Sequence, residues 1–94
     1  MRRDAFRFTH GRPHEFASSP NVTRTFCAGC GASLTYQTID DPETLDITVA
    51  TLDTPELVVP ADHLWMEDAI GWDRPSDGLP MFRTARADGD LFAP

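Results

Sequence analysis

Residues 23–36 read TRTFCAGCGASLTY, with both cysteines of the 94-residue chain inside the run. Threonine, phenylalanine, leucine and tyrosine at its two ends are residues that suit a pleated, half-buried surface, whereas Ala28, Gly29 and Gly31 in its middle suit a tight turn. The pattern predicts two strands, Thr23–Cys27 and Ser33–Thr38, joined at a cysteine knuckle. Two residues between cysteines let both thiolates reach one ion from a single turn. Glycine after the second cysteine supplies a backbone conformation that other residues adopt at a cost.

Three chemistries are open to such a pair: metal ligation, a redox couple, or two unliganded cysteines in a hairpin. A redox Cys-x-x-Cys usually opens a helix, whose N-terminus lowers the thiol pKa. Here Leu34-Thr35-Tyr36 favours strand, which points to metal with Cys27 and Cys30 as ligands and Zn2+ as the ion. Structural zinc takes four protein donors, and the chain offers two thiolates. His10, His14 and His63 are the remaining candidates. His10 and His14 straddle Gly11 and Pro13, which disfavour the helix that would aim both at one ion, and His63 beside Leu64-Trp65 reads as a hydrogen-bonded strand residue. Two chains each donating a pair, in a homodimer, or ligands lying upstream of Met1, would also complete the site.

Outward from the hairpin the chain alternates short extended segments and turns. Phe6-Arg7-Phe8 predicts a strand over about Ala5–His10, Gly11-Arg12-Pro13 a turn, and Glu15-Phe16-Ala17 a further strand ended by Ser18-Ser19-Pro20-Asn21. Thr44–Val49 carries the clearest period of two, with Leu45, Ile47 and Val49 on one face. A helical turn is expected at Pro55, a last strand over His63–Met66, and a frayed tail over 85–94. No window of helical length has a 3.6-residue apolar period. The fold class is all-β, a single domain over 1–94.

Eight basic and fifteen acidic residues give a net charge of −7, and every basic residue is arginine. An acidic surface repels phosphate backbones, which sets nucleic acid aside as a partner. No apolar run suits a signal peptide or a membrane span, so the expectation is a cytoplasmic protein without a membrane partner. In that compartment thiols stay reduced, which again favours metal over a structural disulfide, and leaves Asn21-Val22-Thr23 as a chance glycosylation pattern. A chain this short buries about 60–65% of its unfolded surface. Structural zinc contributes about 10–16 kcal/mol in small zinc peptides, against a net stability of about 5–15 kcal/mol for a domain. A metal therefore has the size of effect that decides folding.

Phe6-Arg7-Phe8, Phe16–Pro20, Arg24–Gly31, Leu34-Thr35-Tyr36, Leu45–Asp53, His63-Leu64-Trp65, Trp72 and Asp77-Gly78-Leu79-Pro80 occur in an order that resembles the C-terminal half of the glutathione-dependent formaldehyde-activating enzyme family, which includes centromere protein V. The resemblance runs from about Phe6 to Phe82. It implies a zinc-containing β-tent of several coiled antiparallel sheets, here truncated at its N-terminus. It also implies a structural zinc held by an upstream Cys-x-Cys and a downstream Cys-x-x-Cys, which Cys27 and Cys30 match. A second, catalytic zinc is held in the family by an upstream Cys-x-Cys-x-x-Cys with no counterpart here, so the catalytic residues of this chain are unknown. By the same resemblance the activity is that of a carbon-sulfur lyase, with the glutathione-formaldehyde adduct, or another small thiol or carbonyl compound, as partner. A non-catalytic, zinc-bridged interaction module is the competing expectation, and a thiol redox protein the third.

Other residues carry weaker signals. Trp65 and Trp72 read as core packing in a thin β domain, Asp46 as a solvent-face residue, and Asp53 as the opening of a turn. Arg24, a possible carboxylate binder, reads more simply as a surface arginine paired with an acid. Glu67 and Asp68 read as a solvated turn.

Overall fold

The computed structural model describes residues 1–93. The chain divides into two compact units, Met1–Val58 and Val59–Pro94. The first unit holds the sheet, an antiparallel meander in the order β1 (His14–Ser19), β2 (Val22–Phe26), β3 (Ser33–Thr38) and β4 (Asp46–Ile47). The regular structure is thus all-β, with helical geometry confined to three-residue 3₁₀ turns. Where the family resemblance implies several sheets, the described residues form one sheet of four strands and three isolated bridges.

The hairpin of β2 and β3 forms where the sequence places it. Its register pairs Arg24 with Tyr36 and Thr25 with Thr35, then shifts so that Phe26 faces Ser33. Leu34 is therefore the extra residue of a bulge one step from the knuckle, a device that bends a strand and tightens its twist. The displaced Leu34 carbonyl is not wasted: it accepts the Thr48 N–H at 3.0 Å.

One face of this sheet carries the core. Thr25 and Thr35 are buried opposite one another and their hydroxyls hydrogen-bond at 2.6 Å. Beside them lies Leu45, 4% exposed, the buried apolar residue of this unit. Phe6 and Phe8 approach the same face, their rings edge to face with centroids 5.0 Å apart, and with Thr25, Thr35 and Leu45 they line a cavity of about 80 Å³. Alternation at Phe6-Arg7-Phe8 correctly puts both rings on one side. The predicted strand Ala5–His10 does not form, because Arg3–Ala5 closes a 3₁₀ turn and the residues after it have no ladder partner.

Thr44–Val49 also shortens, to Asp46–Ile47. Its partners are divided: Asp46 and Ile47 pair with β3, while Thr44 bridges to Arg2 and the Leu45 N–H donates to the Met1 carbonyl at 2.9 Å. After Thr48 the bonds become local, Thr51 N–H to Thr48 and Leu52 N–H to Val49, and a 3₁₀ turn replaces the ladder. The turn expected at Pro55 is present over Pro55–Leu57.

The second unit is held by bridges rather than strands. His63 pairs with Met81 and Phe82 with Leu91. The expected strand His63–Met66 is broken because Trp65 takes a left-handed conformation (φ 58°), after which Met66–Asp68 forms a 3₁₀ turn that carries Glu67 and Asp68 exposed. Met66, 7% exposed, is the buried apolar residue of this unit. Both tryptophans depart from the core reading, since Trp65 is 52% and Trp72 84% exposed. The segment read as a tail pairs back through Arg83 N–H to Asp90 (2.7 Å) and Phe92 N–H to Met81 (2.9 Å); Pro94 lies outside the described residues.

The Thr25–Thr35 bond yields a signed prediction. Thr25→Val leaves one buried hydroxyl without its partner and is expected to cost about 1–3 kcal/mol, whereas Thr25→Val/Thr35→Val removes both and recovers most of that loss. Urea unfolding midpoints of the two variants against wild type measure the difference.

Candidate metal centre

The knuckle begins where β2 ends. The Cys27 N–H donates to the Ala32 carbonyl at 2.8 Å and the Gly31 N–H donates to the Cys27 carbonyl at 2.8 Å, so the turn Cys27–Ala32 is closed by two backbone bonds. Gly31 sits at φ +79°, the left-handed region, which any other residue except asparagine or aspartate would enter at a cost of about 1–2 kcal/mol. Nothing lies within 4 Å of a Cβ built there, so the requirement for glycine is conformational rather than steric.

Both cysteines are free thiols, Cys27 half-buried and Cys30 exposed. The Cys27 thiol is held below its ordinary range. The Cys30 backbone N–H contributes most, then the Gly29 N–H, the Cys30 side chain and, least, the Gly31 N–H, with burial opposing them. Amide N–H groups converging on a sulfur are what a thiolate ligand needs, because they offset its negative charge without competing for the metal-facing lone pairs. The donor set fits one half of a thiolate zinc site. It does not fit a second, catalytic zinc, since the sequence contains no further cysteine.

The histidines have other partners. His14 stacks on Phe26 with ring centroids 5.3 Å apart, in the register pair that joins β1 to β2. His63 Nε2 hydrogen-bonds Asp77 Oδ2 at 2.8 Å, within the second unit. His10 is exposed. Among the described residues no group of three or more His, Cys, Asp or Glu is gathered for a metal. The expected bonding of His63 is therefore seen, on a bridge rather than a strand. Its partner was not anticipated, although Asp77-Gly78-Leu79 carried a signal: Asp77 Oδ1 accepts the Leu79 N–H at 3.0 Å, the side-chain turn that an Asp-Gly pair favours.

Among the described residues Arg24 has no acidic partner. Its Nε donates to Ser18 Oγ at 3.1 Å and its guanidinium lies 4.8 Å from the centroid of the Tyr36 ring, its cross-strand partner. Drawing the hairpin register outward from the knuckle would have found that pair. Asp46 is exposed, as expected for the solvent face, and Asp53 lies in a bend. Arg24, Thr35, Tyr36, Asp46 and Thr48 line a cavity of about 120 Å³, below the roughly 300 Å³ at which small-molecule pockets begin. A cavity of about 720 Å³ is bordered by Arg2, Arg3, Asp4, Asp41 and Glu43. Its lining includes no cysteine, so it is separate from the metal centre.

Residues 1–68 match the family described as glutathione-dependent formaldehyde-activating enzyme. The chain belongs to that family. The match contains the sheet, the knuckle and His63 but not Asp77. No curated protein and no solved structure matches the chain. No helix among the described residues is long and apolar enough to cross a membrane.

The Asp77 carboxyl is held below its ordinary 3.8, first by the Leu79 N–H and then by His63. A carboxylate whose folded pKa is depressed contributes stability that is complete above the unfolded value and is lost as pH falls through the folded one. Asp77→Asn keeps an acceptor for Leu79 but does not titrate. Acid unfolding followed by tryptophan fluorescence, which reports on Trp65 and Trp72 in this unit, is expected to show a shallower loss below about pH 4 in the variant than in wild type.

Proposed function

We propose that this family member binds Zn2+ through Cys27 and Cys30, and that the ion is structural. The observation that supports the reading is the knuckle itself, a turn closed by two backbone bonds that carries both free thiols at the place where the sequence has its Cys-x-x-Cys-Gly. The bound ion would supply cross-linking of the β2 and β3 ends. With Leu45 and Met66 the buried apolar side chains among the described residues, a cross-link there would have more effect on stability than on a protein with a full core.

Cys27→Ser and Cys30→Ser are each expected to abolish zinc retention and to lower the melting temperature to that of chelator-treated wild type. Metal content by mass spectrometry and melting with and without chelator check this. A serine variant that keeps stoichiometric zinc and the wild-type melting temperature refutes it.

The ligand class follows from family membership: glutathione and formaldehyde, or their S-hydroxymethyl adduct. In adduct formation the thiol sulfur bonds to the carbonyl carbon, the carbon–oxygen π pair moves to oxygen and the thiol proton ends there; the lyase direction reverses each step. None of the described side chains is assigned a part in that step, because the three further thiolates implied for a catalytic zinc are absent from the sequence. Exchange NMR on 13C-formaldehyde and glutathione with zinc-loaded protein separates the two halves of the proposal. Faster exchange between free aldehyde and adduct supports the formaldehyde reading. An unchanged rate with zinc retained removes it and leaves a zinc-binding protein.

A further inference from the structure

The outer face of the sheet carries a row of three side chains set by register. Arg24 of β2 stands opposite Tyr36 of β3, and Tyr36 stands opposite Asp46 of β4. Directly opposed residues share a face, so the two charged residues lie about 9–10 Å apart at the backbone with the tyrosine between them. The guanidinium is held in place. Its Nε donates to Ser18 Oγ at 3.1 Å, and its central carbon lies over the Tyr36 ring, 4.8 Å from the centroid. These contacts occupy the Nε position and one face of the group; the Nη1–Nη2 edge is the fork that grips a carboxylate with two parallel N–H bonds. Arg24 and Asp46 both border the cavity of about 120 Å³, with Ser33 and Thr48 beside them. The cavity is too small for a whole ligand of the usual size but has room for a head group.

We propose that this cavity takes the head group of an α-amino acid, with its carboxylate on Arg24 and its ammonium on Asp46. Charge decides the class. A simple anion drawn to Arg24 meets Asp46 in the same cavity, and a simple cation drawn to Asp46 meets Arg24. A zwitterion, with both charges on one carbon frame, is matched by the pair. Ser33 and Thr48 add hydroxyls, which donate to a carboxylate oxygen or accept from an ammonium. Thr48 is fixed at this edge by its N–H bond to the Leu34 carbonyl at 3.0 Å, so the bulge at Leu34 shapes the site. Arg24 and Asp46 are exposed, which makes each charged contact weak by itself. Selectivity between ligands of different charge is therefore the signature, and an exposed ion pair is worth up to about fivefold in affinity. No cysteine takes part, so this site is independent of the zinc reading.

Proton–nitrogen correlation NMR of the full chain near neutral pH, titrated with glycine and separately with acetate, tests the site. Glycine is expected to shift the Arg24 Nε–H and the Asp46 and Thr48 amides at a concentration about two- to fivefold lower than acetate. Asp46→Asn is expected to abolish that preference, weakening glycine and strengthening acetate while the chain as a whole stays acidic. A merely structural role for Asp46 would not reorder the two ligands. Arg24→Gln is expected to lose the shifts from both, and the spread of its amide signals shows whether it folds. S-methylglutathione, its sulfur blocked, presents the same head group at its γ-glutamyl end. Shifts of the same residues at lower concentration than glycine support a γ-glutamyl peptide as the source of the head group; shifts at equal or higher concentration support a free amino acid. Glycine that leaves these resonances unmoved overturns the proposal, as does a preference for glycine that persists in Asp46→Asn. Neither result bears on zinc retention, which is measured separately.

Discussion

The tip of the β2–β3 hairpin is the constraint from which the first unit is built. Two backbone bonds close the turn, Cys27 N–H to Ala32 and Gly31 N–H to Cys27, and they fix where the strands can pair. That register sets Thr25 against Thr35 and Arg24 against Tyr36, so the inner and outer faces are decided at the knuckle and carried down the hairpin. A slip of one residue would expose the two threonines and bury an arginine. The bulge at Leu34 absorbs the mismatch between the turn and the ladder. It also frees the carbonyl that receives Thr48, which is how β4 is anchored beside β3.

The same constraint explains why the core has its unusual character. Opposed threonines occupy the place that a larger domain would fill with valine or isoleucine, and their mutual hydrogen bond is what makes two buried hydroxyls tolerable. Among the described residues the buried apolar side chains are Leu45 here and Met66 in the second unit, with the other apolar side chains half-buried or exposed. A protein in this condition depends on local hydrogen bonding and on cross-links to a degree that a well-filled core does not. The knuckle is the one place in the chain where a cross-link through sulfur can form.

What the sequence made legible was local. The hairpin, its cysteine turn, the glycine at φ +79° and the turn at Pro55 each follow from a few adjacent residues. Segments whose state depends on distant partners were read less well. Phe6 and Phe8 alternate as a strand would, and lie on one side as a strand would, but no neighbour offers a ladder. His63–Met66 has strand composition, yet the chain turns at Trp65, and no property of Trp65 by itself announces a left-handed residue. Size and composition point both tryptophans to a core, and their exposure shows that burial is settled by what the rest of the chain can cover. Of the candidate site, the two thiols were legible from spacing. The pairing of His63 with Asp77 lies fourteen residues apart and is set by tertiary structure.

A lowered thiol pKa is shared by metal-binding and redox cysteine pairs, so it does not separate those two chemistries by itself. The two differ in the element that usually follows the pair. In a redox pair the stabilising field usually comes from a helix N-terminus; here the residues after Cys30 enter β3, and the amides that face the Cys27 sulfur belong to the turn itself. A turn of this kind stabilises a thiolate only while its two closing bonds hold, and an ion bound to both sulfurs would tie Cys27 and Cys30 together across those bonds. On the proposed reading, metal and turn would reinforce one another: each bond that orders the knuckle prepares the ligands, and the ion would resist the knuckle's opening. Oxidation to a disulfide would consume the same two sulfurs, so zinc binding as proposed and oxidation of the pair would exclude one another.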